Sequence, residues 1–166
     1  MLKTLGATLL LGAALVLAAC PASALQVIET HADKNTDGTT TYHFAVKTDP
    51  GETVDFVTVY NFGGLVDGSG KSPAGWTFSS PEFGRTPTWN GYPVVLPVDI
   101  PQLNNVTWTA DSPVGGGKEI GGFSVTTHAT GMTEGEYTAE VTRSGGGKPS
   151  KQAIIGQIPT PSYSVQ

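Results

Sequence analysis

Apolar side chains recur at every second position in short segments that close on Gly, Pro, Asn or Asp, and this pattern limits the chain to extended structure. Tyr42, Phe44 and Val46 alternate with His43 and Ala45, so one face of that segment points to a core. Trp76 and Phe78 repeat the spacing, as do Val106, Trp108 and Ala110, then Phe123, Val125 and Thr127, then Tyr137, Ala139 and Val141. Residues 53–62 are dense enough in β-branched and aromatic residues to predict a central strand, which Gly63-Gly64 ends. Asp37-Gly38 and Asp49-Pro50-Gly51 supply turns, and 67–70 (Asp-Gly-Ser-Gly) reads as a flexible stretch. A first strand is predicted over 26–32 and a last over 152–158, reached through the loop 144–147 (Ser-Gly-Gly-Gly). Pro159 and Pro161 are expected to stop the pairing there, leaving 160–166 as a loose tail.

No helical periodicity follows the first 24 residues, so the fold class is all-β. About seven strands at this spacing predict a single antiparallel β-sandwich of immunoglobulin- or fibronectin-like type, occupying residues 25–159. The first 24 residues read differently. Lys3, an apolar run from Leu5 to Ala19 and the triplet Ala22-Ser23-Ala24 have the order of a bacterial secretory signal peptide. Leu17-Ala18-Ala19-Cys20 resembles a lipobox, in which Cys20 is acylated, whereas Ala22-Ser23-Ala24 matches ordinary signal peptidase, which would discard Cys20 and start the product at Leu25. The expected location is therefore secreted or periplasmic, with a membrane-anchored lipoprotein as the alternative. No later apolar run reaches the ~20 residues a membrane-spanning helix needs.

Removing the leader leaves about 140 residues, one domain with room for a real core. Cys20 is the only cysteine, so packing and not a disulfide must hold the fold. The formal net charge of −5 is scattered, without a basic run to neutralise phosphates, which argues against a nucleic-acid partner.

Several of these segments taken in order carry a resemblance: Tyr42-His43-Phe44, Pro73-Ala74-Gly75-Trp76-Thr77-Phe78, Val106-Thr107-Trp108-Thr109, Gly121-Gly122-Phe123-Ser124-Val125 and a late Gly-rich loop before Ile158-Pro159. Together they resemble exported bacterial β-sandwich proteins, many of which carry a C-terminal PEP-CTERM sorting tail. The Pro-Glu-Pro, apolar helix and basic cluster of that tail do not follow Ile158, so sorting by that route is not expected. The resemblance implies a role at the cell surface or in extracellular matrix.

Four groups of residues are candidates for chemistry. Asp33, Asn35 and Asp37, followed by Gly38, match the opening of a calcium loop, but the position where such a loop has its bidentate Glu is Phe44; a polar hairpin turn is the other reading. His31, His43 and His128 fall on three predicted strands with no His-x-His pair, which predicts solvent-facing positions and not a metal site. Trp89, Asn90 and Tyr92 lie in a Pro-bounded loop around Asn90-Gly91, where an exposed ring would stack on a sugar. Folding back of Trp89 or Tyr92 to cap the sandwich is the favoured expectation. Glu134 and Glu136, read as bracketing a Gly turn, lack the burial that would make a glycosidase pair. No Gly-x-Ser-x-Gly elbow appears, and Asn105-Val106-Thr107 is a formal glycosylation sequon in which Val106 reads as buried.

These observations predict a non-enzymatic exported structural or adhesive component, without a cofactor unless calcium binds. The alternatives are a carbohydrate-binding module using the Trp89–Tyr92 loop and a calcium-dependent adhesin. Expected partners are envelope or matrix polysaccharide or protein. The short first strand also offers an edge for pairing with another chain.

Overall fold

The structure is a computed structural model that describes residues 25–94, 97–144 and 147–162. The leader with Cys20, positions 145 and 146 of the Gly-rich loop and the last four residues lie outside the described residues. Among the described residues ten strands form: β1 (Gln26–Lys34), β2 (Thr40–Lys47), β3 (Glu52–Phe62), β4 (Trp76–Ser79), β5 (Thr88–Trp89), β6 (Tyr92–Pro93), β7 (Asn104–Gly115), β8 (Glu119–Thr127), β9 (Gly131–Arg143) and β10 (Ser150–Ser162). No helix occurs among the described residues.

A three-stranded sheet, β1-β2-β8, packs against a five-stranded sheet, β10-β9-β3-β7-β4, and every pairing is antiparallel. The arrangement is that of a β-sandwich, as the alternating pattern predicts. Tyr42, Phe44, Val46, Phe123 and Val125 from the small sheet meet Val54, Val57, Val59, Val106, Trp108, Tyr137, Ala139 and Val141 from the large one in a shared core. Trp108 is its centre. Its ring lies 5.6 Å from Phe44, 5.4 Å from Phe123 and 5.9 Å from Phe78, and its indole N–H donates to the Lys71 carbonyl.

Three sequence expectations need correction. Pairing does not stop at Pro159: β10 continues to Ser162, with Pro159 opposite Glu134 and Pro161 opposite Met132. Both prolines sit on an edge strand at positions of the same parity, so their missing N–H groups fall on the side away from β9, where no ladder bond is lost. Gly135 is not a turn but a strand residue paired with Ile158, and the Thr160 side chain covers it, so that a Cβ there would lie 2.3 Å from the Thr160 hydroxyl. Residues 67–70 are tied to the edge of β8, since the Ser69 hydroxyl accepts from the Thr126 amide and donates to the Thr126 carbonyl, while Lys71 bridges Ser124.

The strand β3 is buried on both faces. A bulge at Asp55 puts Val54, Val57 and Val59 into the core and turns Phe56, Thr58 and Tyr60 to the outer face. That outer face is buried as well, because the described parts of the connection between β4 and β7, residues 80–94 and 97–103, supply a strap across it: Arg85 lies over Phe56, Gly84 lies against Tyr60 and Thr88 bonds Glu140. Thr58, Thr107 and Thr138 pack beneath the strap, with the Thr58 and Thr107 hydroxyls 2.8 Å apart.

Candidate functional site

The strap is fixed by polar side chains that the outer face of the large sheet supplies. Asn105, fully buried, donates its amide to the Glu82 carbonyl and the Asp99 carboxylate and accepts from the Asn61 amide. Asn61 holds the next turn, donating to the Val98 carbonyl and accepting from the Ile100 amide. Asp99 in turn accepts from the Gly84 amide. Gly84 lies against Tyr60, and a Cβ there would stand 2.2 Å from the ring. Arg85 caps Phe56, its guanidinium 4.2 Å from the ring centroid, an attractive cation–π geometry. The sequon asparagine is thus an internal clamp, consistent with the sequence-based expectation that this segment is buried.

Within the strap, Thr88–Trp89 and Tyr92–Pro93 close into a two-residue hairpin. Asn90 (φ 49°) and Gly91 (φ 85°) occupy the two left-handed positions of a type I′ turn, the turn for which Asn-Gly is preferred. Alternation along the strand then sorts the side chains. The Thr88 amide and hydroxyl both donate to Glu140 Oε2, at 2.9 and 2.8 Å, so Thr88 faces the sheet and Trp89 faces away. The Asn90 amide donates to the Lys151 carbonyl on the open edge of β10, docking the hairpin tip.

Glu140 is the anchor. Burial pushes its carboxyl up, but the hydrogen bonds from Lys151 and Thr88 outweigh burial and hold it below the usual glutamate range. Its partner Lys151 is pushed up, first by that hydrogen bond and further by Asp55, whose carboxylate lies 3.6 Å from the ammonium. A charged pair thus joins β9, β10 and the hairpin.

Trp89 and Tyr92 are direct cross-strand partners, so both rings leave the same face of the hairpin, with 50% and 76% of their surfaces exposed. The favoured expectation that one ring folds back to cap the sandwich is overturned. Thr88, Asn61 and Asn105 supply the strap's attachment, and the aromatic residues are left outside it. Phe83 (65%), Val98 (79%) and Ile100 are exposed on the same strap. Val98 and Ile100 lie apart from the hairpin: they sit by Asn61 and Thr133, at the other end of β9 and β10 from Lys151, where the hairpin docks, so the paired rings of Trp89 and Tyr92 are the contact surface on the hairpin. Val98, Ile100 and Leu103 line a groove of about 460 Å³ together with Glu134 and Glu136.

The calcium motif folds as a hairpin turn. The Asp37 carboxylate accepts from the Thr39 amide and hydroxyl, which lowers its pKa, and the Asn35 amide donates to the Thr39 and Thr41 hydroxyls. Asp33 belongs to β1 and faces a different group. His31 and His43 are cross-strand partners, their rings stacked 4.0 Å apart and 8° from parallel. Asp33 Oδ2 lies 3.1 Å from His43 Nε2 and 3.8 Å from His31 Nε2. This is the one group of three metal-ligand side chains among the described residues; His31 and His128 are exposed, as expected, His43 is half-buried, and the strand register brings His31 and His43 together. His128 lies beyond the end of β8 and is not part of it. Sequence reasoning missed the pair because the signal is a strand register and not a local motif.

No protein-family model matches the chain, and neither the curated proteins nor the solved structures gave a significant match.

Proposed function

We propose that this chain is a non-enzymatic, exported adhesive protein of the bacterial cell surface, periplasm or extracellular matrix, and that its contact surface is the Trp89–Tyr92 hairpin, with carbohydrate as the ligand class. One observation carries the reading: two large rings leave one face of a hairpin whose other face is bonded to Glu140. Flat, immobilised rings suit the C–H faces of sugar rings, and they cost little conformational entropy on binding because the turn and Thr88 already hold their backbone. Asn90 at the exposed tip adds an amide that can bond hydroxyls. The immunoglobulin- or fibronectin-like type of the sandwich and the likeness to exported proteins with PEP-CTERM tails belong to the same reading, supported by the order of the buried aromatic segments. Export is supported by the apolar run after Lys3, with Cys20 acylation and cleavage before Leu25 as the two routes.

Affinity electrophoresis tests the ligand class. The purified protein is run through native gels containing β-glucan, xylan, mannan or glycol chitin. Retardation by at least one polymer, abolished in Trp89→Ala and weakened in Tyr92→Ala, is the expected result; unretarded migration on every polymer sinks the carbohydrate reading.

A further inference from the structure

We propose that His31, His43 and Asp33 form a binding site for a divalent transition-metal ion of the zinc type on the outer face of β1 and β2. The proposal is independent of the aromatic hairpin, which belongs to a different sheet.

Register creates the site. His31 pairs with His43 and Asp33 pairs with Thr41, so His31 and Asp33, two apart on β1, share a face with His43 of β2. A bulge between Glu29 and His31 inserts Thr30 as the extra residue and re-aims the strand at this point. The two Nε2 atoms and Asp33 Oδ2 then converge. A tetrahedral ion with bonds of about 2.0–2.2 Å holds its ligands roughly 3.3 Å from one another. Here the carboxylate oxygen is 3.1 and 3.8 Å from the two ring nitrogens, and all three ligand atoms fall within 4.8 Å. The rings are parallel, so each has to turn modestly about its terminal torsion to aim its lone pair at a common point. That torsion is broad for histidine, and His31 is solvent-exposed.

A neighbour able to set the tautomer is also in place. The Thr30 hydroxyl lies 3.2 Å from the His43 carbonyl, to which it can donate, and 3.1 Å from His31 Nδ1. With its proton on the carbonyl it accepts from a protonated Nδ1, the tautomer that leaves Nε2 of His31 with a lone pair on the side of Asp33. A polar neighbour that fixes the tautomer of a ligating histidine is the usual support of a metal site. Two imidazoles and one carboxylate select zinc, copper or nickel over magnesium or calcium, which take oxygen ligands. The three ligands leave a fourth position for water or for a group on a partner. β1 is an edge strand that pairs with β2, so an ion held by His31 and Asp33 of β1 and His43 of β2 cross-links the two strands.

The test is calorimetric titration of tag-free purified protein with zinc chloride, repeated with calcium chloride. One zinc per chain is expected, with no calcium heat from this site, and zinc should raise the melting temperature. His31→Ala and His43→Ala should each weaken zinc binding by at least about tenfold, and Thr30→Val by about tenfold or more through loss of the tautomer-fixing bond. His128→Ala should bind as the parent does. These side chains lie on an exposed face, so metal-free melting temperatures report whether the variants remain folded. Should either histidine variant fail to fold, imidazole nitrogen NMR of the parent protein decides: zinc should shift His31 and His43 and leave His128 unmoved. No zinc heat, undiminished binding in both histidine variants, or a shift confined to His128 overturns the proposal.

Discussion

Replacing Glu140 by Ala should free the aromatic hairpin without unfolding the sandwich. The carboxylate accepts the Thr88 amide at 2.9 Å and the Thr88 hydroxyl at 2.8 Å, and it pairs with Lys151. Hydrogen bonds to a charged group contribute about 1.5–3 kcal/mol each when buried, but Lys151 is half exposed, which screens its share, so the two Thr88 bonds dominate. Because both bonds fall on one carboxylate oxygen they do not add in full, and their loss amounts to about 2–3 kcal/mol of local stability, or roughly a 30- to 160-fold rise in the opening equilibrium of the hairpin. Amide hydrogen exchange reads this directly: Thr88 and Asn90 should exchange faster by that factor in Glu140→Ala, while Thr58 and Ala139 in the central strands keep their rates. Acid should mimic the substitution. The folded pKa of Glu140 is lowered, so its contribution is complete above the ordinary glutamate value of 4.5 and disappears as pH falls through the lowered one. Unchanged Thr88 exchange in Glu140→Ala would refute the anchoring role.

Other substitutions separate the sandwich from the strap. Trp108→Ala removes the ring on which Phe44, Phe78 and Phe123 converge and should cost about 3–5 kcal/mol in urea-monitored unfolding; a loss below 1 kcal/mol, measured on the same scale, would contradict its central placement. Gly91→Val forces a β-branched residue into a left-handed position with open space around it, so the cost of about 1–2 kcal/mol is purely a backbone one. It should raise exchange at Asn90 and leave the global unfolding midpoint nearly unchanged; a large drop in that midpoint would mean the hairpin is integral to the core. Asn105→Ala removes a buried amide that bonds Glu82 and Asp99, and protease nicking within 82–94 should become faster than in the parent protein; equal nicking rates would show that the strap is held elsewhere.

The core was legible from the chain because burial on one face of a strand writes a period of two. Tyr42, Phe44, Trp108, Phe123, Tyr137 and Val141 all occupy the core positions that alternation assigns them. Where a second layer covers the sheet, alternation stops being informative: Phe56, Thr58 and Tyr60 are buried on the outer face of β3 because of the strap, and the strap is a feature of long-range packing. Pro159 and Pro161 misled because a missing N–H is harmful only if it faces a neighbour, and facing is set by register and edge position. The Trp89–Tyr92 loop was visible as a turn, but exposure of its rings depends on Thr88 being drawn inward by Glu140, a residue distant in sequence. The His31–His43 pair was hidden for a similar reason, since the bulge at Thr30 decides which residue of β1 stands opposite His43.

Trp89 offers the most direct test of the contact surface, because Trp76 and Trp108 are buried and only Trp89 of the three indoles is exposed. Tryptophan emission is followed while the polysaccharide that retards the protein in gels is added. A saturable change in emission that vanishes in Trp89→Phe, while Tyr92→Ala weakens the binding reported by Trp89, is the predicted result. Binding of that polysaccharide with unaltered Trp89 emission would place the contact elsewhere on the molecule and contradict the account.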